Sequence, residues 1–302
     1  MKKVRYKVRI LYDVKGWAYY HRACALRKYA PSDFYIDIGA DYGRALKKRD
    51  YHLIMQLAYS YIKPIRNHLN KRKSKTKLMS SFNIGWGHNN KWLAGTVRQC
   101  DAVVVNNLEM FQKAGPLPKT YHISNGVDRE IFKCVTPIEK RPLKVLWCGS
   151  KFHKKVKGYD EFLLPVKAAM QKLGVECDFR LTNSVGKGRL SPEQMAEWYN
   201  SGCVYLCASK NEGTPNPALE AASCGCTVVS TSVGNMPELI EHGDNGYICE
   251  RTVDDMVRFV RKALKKRVKL HNNMQETIKT WHWGERAKQY FQLFRNVIEG
   301  KC

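Results

Sequence analysis

Two glutamates eight positions apart bracket a bend and a helix start in Glu212-Gly-Thr-Pro-Asn-Pro-Ala-Leu-Glu220, and no other stretch constrains the fold of this chain as tightly. Before it, Val204 to Cys207 reads as a buried strand that runs out into a loop. Proline suits a first helical turn, so the loop opens a helix near Pro217. The amides exposed at such a start form an anion site. Eight positions is just over two helical turns, which turns Glu220 back along the helix toward the loop that holds Glu212.

The next thirty residues are patterned too. Ala221 to Cys226 closes the helix on Gly225, and Thr227 to Thr231 reads as the next buried strand. Gly234-Asn-Met-Pro-Glu238, running on to Gly243 and Gly246, gives a short proline-started helix and a glycine hairpin. Two solvated glutamates beside a surface turn would leave so many spaced glycines unexplained.

A chain of 302 residues with 44% hydrophobic content supports two cores of ordinary domain size. No apolar run reaches 18 residues, so no membrane-spanning helix is expected. The basic start Met-Lys-Lys-Val-Arg-Tyr-Lys lacks the apolar core of a signal peptide, and a cytoplasmic location follows as an expectation. Eleven cysteines without a Cys-x-x-Cys pair fit that setting. Cys203, Cys207, Cys224 and Cys226 have the wrong spacing for a zinc finger and read as small core side chains, so no metal is expected.

The net charge of +25 is unevenly spread. Residues 1 to 130 carry 25 Lys and Arg against 9 Asp and Glu, a net of +16, and the remainder carries 27 against 18, a net of +9. Such a field concentrates polyanions, nucleic acid or an anionic lipid surface among them. Lysines that merely keep a protein soluble are the plainer alternative.

In chain order, Val8 to Asp13 reads as a first strand whose exit loop holds Gly16 and Trp17, with further strands over Asp33 to Ile38 and Asp50 to Leu57. The run Lys71-Arg-Lys-Ser-Lys-Thr-Lys77 reads as a solvated loop, or as a track for a phosphate backbone. Leu78 to Asn83 leads into a loop with two glycines and His88, short of the third glycine of a dinucleotide fingerprint. Gln99 to Asn107 contains another buried strand. Leu143 to Cys148 and Cys177 to Thr182 are strands of the second half, and Ser191-Pro192 caps a helix through Trp198. Arg251 to Val268 and the stretch beyond it read as amphipathic helices.

Residues 209 to 250 resemble the donor domain of retaining GT-B glycosyltransferases of the glycogen-synthase-like type, the "glycosyl transferases group 1" enzymes, some of them phage-encoded. Ser209, Glu212, Gly213, Glu220, Gly225, Gly234, Glu238 and Gly246 all match that family's pattern. Asn125-Gly-Val-Asp128 followed by Phe132 resembles its interdomain junction, and Trp281 to Arg295 its terminal helix. The resemblance implies an α/β GT-B fold of two Rossmann-like domains facing a cleft. It places an acceptor-side domain over 1–130 with a returning helix over 284–302, and a nucleotide-sugar donor domain over 131–283.

It also implies roles for single residues. Lys157-Gly158 matches the family's second basic element at the donor diphosphate, and Lys151, six positions before it, stands where the family has arginine. Lysine is a point charge where arginine is a fork, so Lys154 or Lys155 could serve instead of Lys151. Glu220 would accept hydrogen bonds from the ribose diol and Glu212 would meet the transferred sugar. Gly149, Ser150, Gly213, Thr214, Pro215 and Asn216 would line the donor, and Arg189 and Leu190 would border the base. Gly16 would let the backbone approach the donor or acceptor, although an ordinary strand-to-helix turn fits it equally. His88 would sit by the reacting sugar, and a plain surface histidine is an equal reading.

The implied reaction moves a sugar from UDP-sugar or another nucleoside-diphosphate sugar to a hydroxyl, with retention. No Asp-x-Asp occurs, so lysines rather than a metal would carry the diphosphate charge, and no cofactor is expected. The basic front half suits two polyanionic acceptors. One is a membrane lipid or glycan at an anionic leaflet, with the enzyme peripheral to it. The other is DNA with hydroxymethylated bases, for a phage enzyme in host cytoplasm, with Trp17, Trp86 and Trp92 stacking on bases. A non-catalytic nucleic-acid-binding protein on the same scaffold is the alternative, and no obligate protein partner is inferred.

Overall fold

The computed structural model describes residues 4–41, 43, 51–57, 61–82, 90–114, 117–182 and 190–302, with the side chains of 90–93 excepted. The chain divides into two compact units, Met1–Asn125 joined by Trp283–Cys302, and Gly126–His282. His88, Trp86 and Arg189 lie outside the described residues, as does the side chain of Trp92.

The first unit is built on strands β1 (Tyr6–Leu11), β2 (Phe34–Gly39), β3 (Leu53–Gln56), β4 (Lys77–Phe82), β5 (Ala102–Val105) and β6 (Thr120–His122). All pair in parallel, in the order β2-β1-β3-β4-β5-β6. Successive strand side chains point to opposite faces. Val8, Ile10, Leu53, Met55 and Val104 therefore meet one cluster, while Leu11, Ile54, Val103 and Val105 meet another. Both faces are covered at the centre of the sheet, which is why β3 (Leu-Ile-Met-Gln) and β5 (Ala-Val-Val-Val) read as nearly unbroken apolar runs, whereas β1 alternates. The first face is closed by the helix Trp283–Ile298, whose Tyr290, Phe291 and Phe294 are buried against Leu26 and Phe34. Arg295 pairs with Asp33 at 3.0 Å and Arg5 with Glu299 at 3.0 Å, fixing the far end of that helix.

Two strands are shorter than their apolar runs. Pairing begins at Leu53 rather than Asp50 and at Ala102 rather than Gln99. Asp101 stands just before β5: its amide still donates to the Leu78 carbonyl at 2.7 Å, while its carboxylate accepts from the Arg66 guanidinium at 2.7 Å and the Leu78 amide at 2.8 Å. The basic run Lys71–Lys77 is a loop only in its middle. Lys71 ends the helix Ile62–Lys71 and Lys77 opens β4, with Lys71, Arg72, Lys73 and Lys75 exposed.

The second unit holds β7 (Lys144–Ser150), β8 (Glu176–Thr182), β9 (Val204–Cys207), β10 (Thr227–Thr231) and β11 (Gly246–Cys249). They form a parallel sheet in the order β11-β10-β9-β7-β8. Leu146, Tyr205 and Val228 face one core cluster, and Val145, Val204 and Val229 the other. The chain leaves β7 for the edge strand β8 and returns on the opposite side of β7 as β9. That reversal puts the loops after β7 and β9 side by side beyond the carboxyl ends of their strands, the place where open α/β sheets take ligands. Eight of the eleven free cysteines are buried, Cys203, Cys207, Cys224 and Cys226 among them.

Candidate donor site in the second unit

The loop after β7 runs from Gly149 and Ser150 through a tight turn at Lys151–His153 and a single helical turn, Lys154–Lys157. Gly158 ends that turn at φ 67°, in the left-handed region where glycine carries no Cβ penalty. A Cβ there would stand 2.9 Å from the Ala208 carbonyl oxygen, so Lys157-Gly158 is pressed onto the end of β9. The Lys210 amide donates to the Val156 carbonyl at 2.8 Å and joins the two loops.

From β9 the chain passes through Ser209, Glu212 and Gly213 into the eight-residue helix Asn216–Ser223. Pro215 precedes that helix and Pro217 lies in its first turn, which spares two amides that could find no intrahelical partner. Gly234 at φ 55° lets the next loop close on this one, since a Cβ would stand 2.5 Å from the Gly213 oxygen. Gly213, Thr214 and Pro215 are buried, while Glu212 and Glu220 are partly open.

These loops bring Lys157 and Glu212 together as an ion pair, with the Ser209 hydroxyl donating to the same Glu212 Oε1 at 2.8 Å. Burial works against the Lys157 ammonium, but attraction to Glu212 and the hydrogen bond to it outweigh that, and its pKa is raised above the ordinary lysine value. The cation is therefore retained in a largely desolvated position.

Glu220 lies on the helix that the second loop feeds and is fixed from beneath. The Tyr199 hydroxyl donates to Glu220 Oε2 at 2.9 Å. Tyr199 ends the helix Pro192–Tyr199, which begins at a capping box in which Ser191 and Gln194 bond reciprocally to each other's backbone amides. Tyr205 accepts from the Cys148 amide at 3.4 Å and donates to the Cys148 carbonyl at 3.1 Å, just before Gly149. Burial pushes both phenols well above the usual tyrosine range and the Cys148 thiol up to about 11, so all three stay protonated.

Beside the carboxyl ends of these helices lies Arg141, buried and with no carboxylate partner among the described residues. It donates to the carbonyls of Cys224 at 2.7 Å and Gly202 at 3.1 Å, and to Asn200 Oδ1 at 2.9 Å. The ends of the helices that carry Tyr199 and Glu220 supply the negative partial charge that an acid would otherwise provide.

Of the residues singled out by sequence, Lys157, Gly149, Ser150, Glu212, Gly213, Thr214, Pro215, Asn216 and Glu220 all fall on these two loops and the helix they feed. Lys151 is exposed, its ammonium over the Phe152 ring at 5.4 Å. Leu190 is partly buried just before Ser191. Gly16 belongs to the first unit, at φ 85° after β1, with its carbonyl 3.0 Å from His21 Nε2. Ser209 enters the sequence pattern only as a matched position, and Tyr199 does not enter it. A tyrosine at the last turn of a helix carries no signal of its partner. Among the described residues, Asp128, Glu130 and His282 are a separate group with a donor set suited to a metal, their ligand atoms within 4.8 Å of one another.

Residues 138–266, most of the second unit, match the family model described as Glycosyl transferases group 1. The chain is 35% identical over 107 residues to the N-acetyl-alpha-D-glucosaminyl L-malate synthase of Bacillus anthracis. It is 36% identical over 107 residues to a component of the phosphatidylinositol N-acetylglucosaminyltransferase of Arabidopsis thaliana. Each match takes in 34% of this chain, and the chain spans about a quarter of the length of these relatives. Among solved structures, the sucrose-phosphate synthase of Thermosynechococcus elongatus superposes with a TM-score of 0.76 at 13% identity, over 98% of this chain and 100% of its own. Anabaena HepE, solved with UDP and glucose, superposes at 0.73 with 14% identity, over 96% and 100%. The fold is thus GT-B, two Rossmann-like units each on a parallel sheet, and residues 209 to 250 lie within the segment that matches the family model.

Proposed function

We propose that this protein transfers a sugar from a nucleoside-diphosphate sugar to an acceptor hydroxyl with retention of the anomeric configuration and without a metal. The observation that carries the reading is the Lys157–Glu212 pair at the sheet reversal, one helix start away from Glu220. Lys157 would meet the diphosphate, aided by Lys151 from the same loop and by the amides after Glu212. Exposed helix starts contribute about 0.3–1 kcal/mol and partly buried ones about 2, so the lysines supply the main counter-charge. Glu212, released from Lys157 as the diphosphate arrives, would accept from hydroxyls of the transferred sugar. Glu220 would hold the ribose diol. The departing diphosphate would help take the proton of the acceptor.

Two acceptor classes carry specific support. The similar proteins include a component of a phosphatidylinositol N-acetylglucosaminyltransferase, which supports a lipid or glycan acceptor reached from the cytoplasmic side of an anionic membrane, whereas the N-acetyl-alpha-D-glucosaminyl L-malate synthase is named for a small-acid acceptor and supports neither class. No helix among the described residues is long and apolar enough to cross a membrane, so docking would be peripheral. The +16 charge of residues 1 to 130 suits modified DNA as well.

The test is hydrolysis and transfer across a panel of nucleotide sugars, followed by mass spectrometry of lipid extracts, glycans and hydroxymethylated DNA. Glu220→Ala is expected to weaken donor use by about tenfold to a hundredfold, as loss of a charge-assisted hydrogen bond implies. Unchanged donor affinity by calorimetry would remove Glu220 from the site, and inversion seen by anomeric NMR would refute retention. Binding to DNA with a steep salt slope, without sedimentation on anionic liposomes, would favour the DNA acceptor.

A further inference from the structure

We propose that Tyr199 is a positioning residue for the donor's ribose: its hydroxyl fixes the Glu220 carboxylate in the orientation that accepts the diol, so that recognition of ribose depends on a side chain buried beneath the site. The inference rests on the reading of Glu220 as the ribose ligand.

The last torsion of a glutamate is broad, and a partly exposed carboxylate on a helix has many orientations open to it. Here one oxygen, Oε2, is taken by Tyr199 at 2.9 Å. The phenol is fully buried and cannot follow a wandering carboxylate. Its ring packs against Trp198 at 5.1 Å, Tyr205 at 6.0 Å and Phe132 at 6.1 Å between centroids, and its oxygen lies 3.6 Å from the Cys148 sulfur. The backbone behind it is held as well, since Arg141 reaches the Gly202 carbonyl three residues on. A hydrogen bond from a neutral donor to a buried-side oxygen of a carboxylate is charge-assisted and strong in a poorly solvated setting. A ligand group held by a locked partner meets its substrate without first being ordered.

The experiment compares Tyr199→Phe with the native protein by calorimetric titration. The probe is whichever of UDP, GDP, ADP and CDP binds the native chain most tightly, together with its 2′-deoxy and 3′-deoxy forms. Tyr199→Phe is expected to weaken the ribonucleotide by about tenfold while leaving the deoxy form that lacks the Glu220 contact within about twofold, so that discrimination between them collapses. Tyr205→Phe, which removes a hydroxyl from the same cluster without touching Glu220, should keep the native discrimination. The ratio of two affinities on one variant does not depend on how much of the sample is folded, so a destabilised variant still answers.

Equal weakening of both nucleotides by Tyr199→Phe would assign the tyrosine a merely structural role and overturn the proposal. No change in Tyr199→Phe, with Glu220→Gln still losing the ribonucleotide, would overturn it and leave the donor site standing. If none of the four diphosphates bound the native chain, the donor-site reading would fall and this inference with it.

Discussion

Lys157 and Glu212 are 55 positions apart in the chain and yet share one hydrogen bond, because two loops end on neighbouring strands. A residue-scale contrast lies close by. Thr227 opens β10 fully buried, and its hydroxyl has no hydrogen-bond partner among the described residues. Valine has the same shape without the polar atom. Thr227→Val is therefore expected to stabilise the second unit by about 1 kcal/mol, removing the cost of a desolvated hydroxyl. For a unit of this size that is a rise of about 2–4 °C in its calorimetric melting, and a fall would show that the hydroxyl is satisfied in solution. At this scale the sequence was legible where the signal was local. Glu212, the prolines and Glu220 declare their loop and helix within nine residues, and Lys157 stood out because a glycine of fixed spacing follows it. Tyr199 and Arg141 declared nothing, since their partners lie on other elements and the sequence near each one is ordinary. Lys151 matched by spacing alone, and spacing says nothing about which way an exposed side chain turns.

The decisive element is the loop Gly149–Gly158, whose course is set by one left-handed residue. Gly158→Ala must adopt φ near 67° and place a methyl 2.9 Å from the Ala208 carbonyl. Strain of this kind costs about 1–3 kcal/mol. The expected outcome is a lower melting temperature together with loss of nucleotide affinity, because relief of the clash moves Lys157 away from Glu212. Native affinity in a destabilised Gly158→Ala variant would show that the loop tolerates displacement. The strands were readable as apolar runs, and their ends were not. Asp101 reads as part of a strand, and nothing near it in sequence shows that its carboxylate pairs with Arg66, 35 residues earlier, just before β5 begins. The same holds for Lys71 and Lys77, which read as one charged loop although a helix ends on the first and a strand begins on the second.

At the scale of the molecule, the first unit is discontinuous in sequence and the second is not. A fragment of residues 126–282 is expected to fold cooperatively, whereas 1–125 alone should not. The shorter piece leaves Leu26, Phe34 and Ile36 without Tyr290, Phe291 and Phe294. Joining 283–302 to 1–125 by a flexible linker should restore a single cooperative melt, and independent folding of 1–125 would refute the division. The seal of that helix is also sensitive to acid. Lys301 foremost, then Tyr6, holds the Glu299 carboxyl down to about 2 against an ordinary 4.5. A depressed value stabilises the fold above the ordinary value and ceases to do so as pH falls toward the depressed one. The difference in melting between native protein and Glu299→Gln should therefore shrink between about pH 4.5 and 2. A difference constant across that window would exclude Glu299 as the titrating group. The split unit also has a history in time. On the ribosome its sheet emerges first and its closing helix only after the whole second unit, about 10–35 s later at ordinary elongation rates. For that interval the nascent chain presents an apolar sheet face to solvent, next to its most basic residues, and a chaperone that shields it until residue 298 appears has a defined surface to hold.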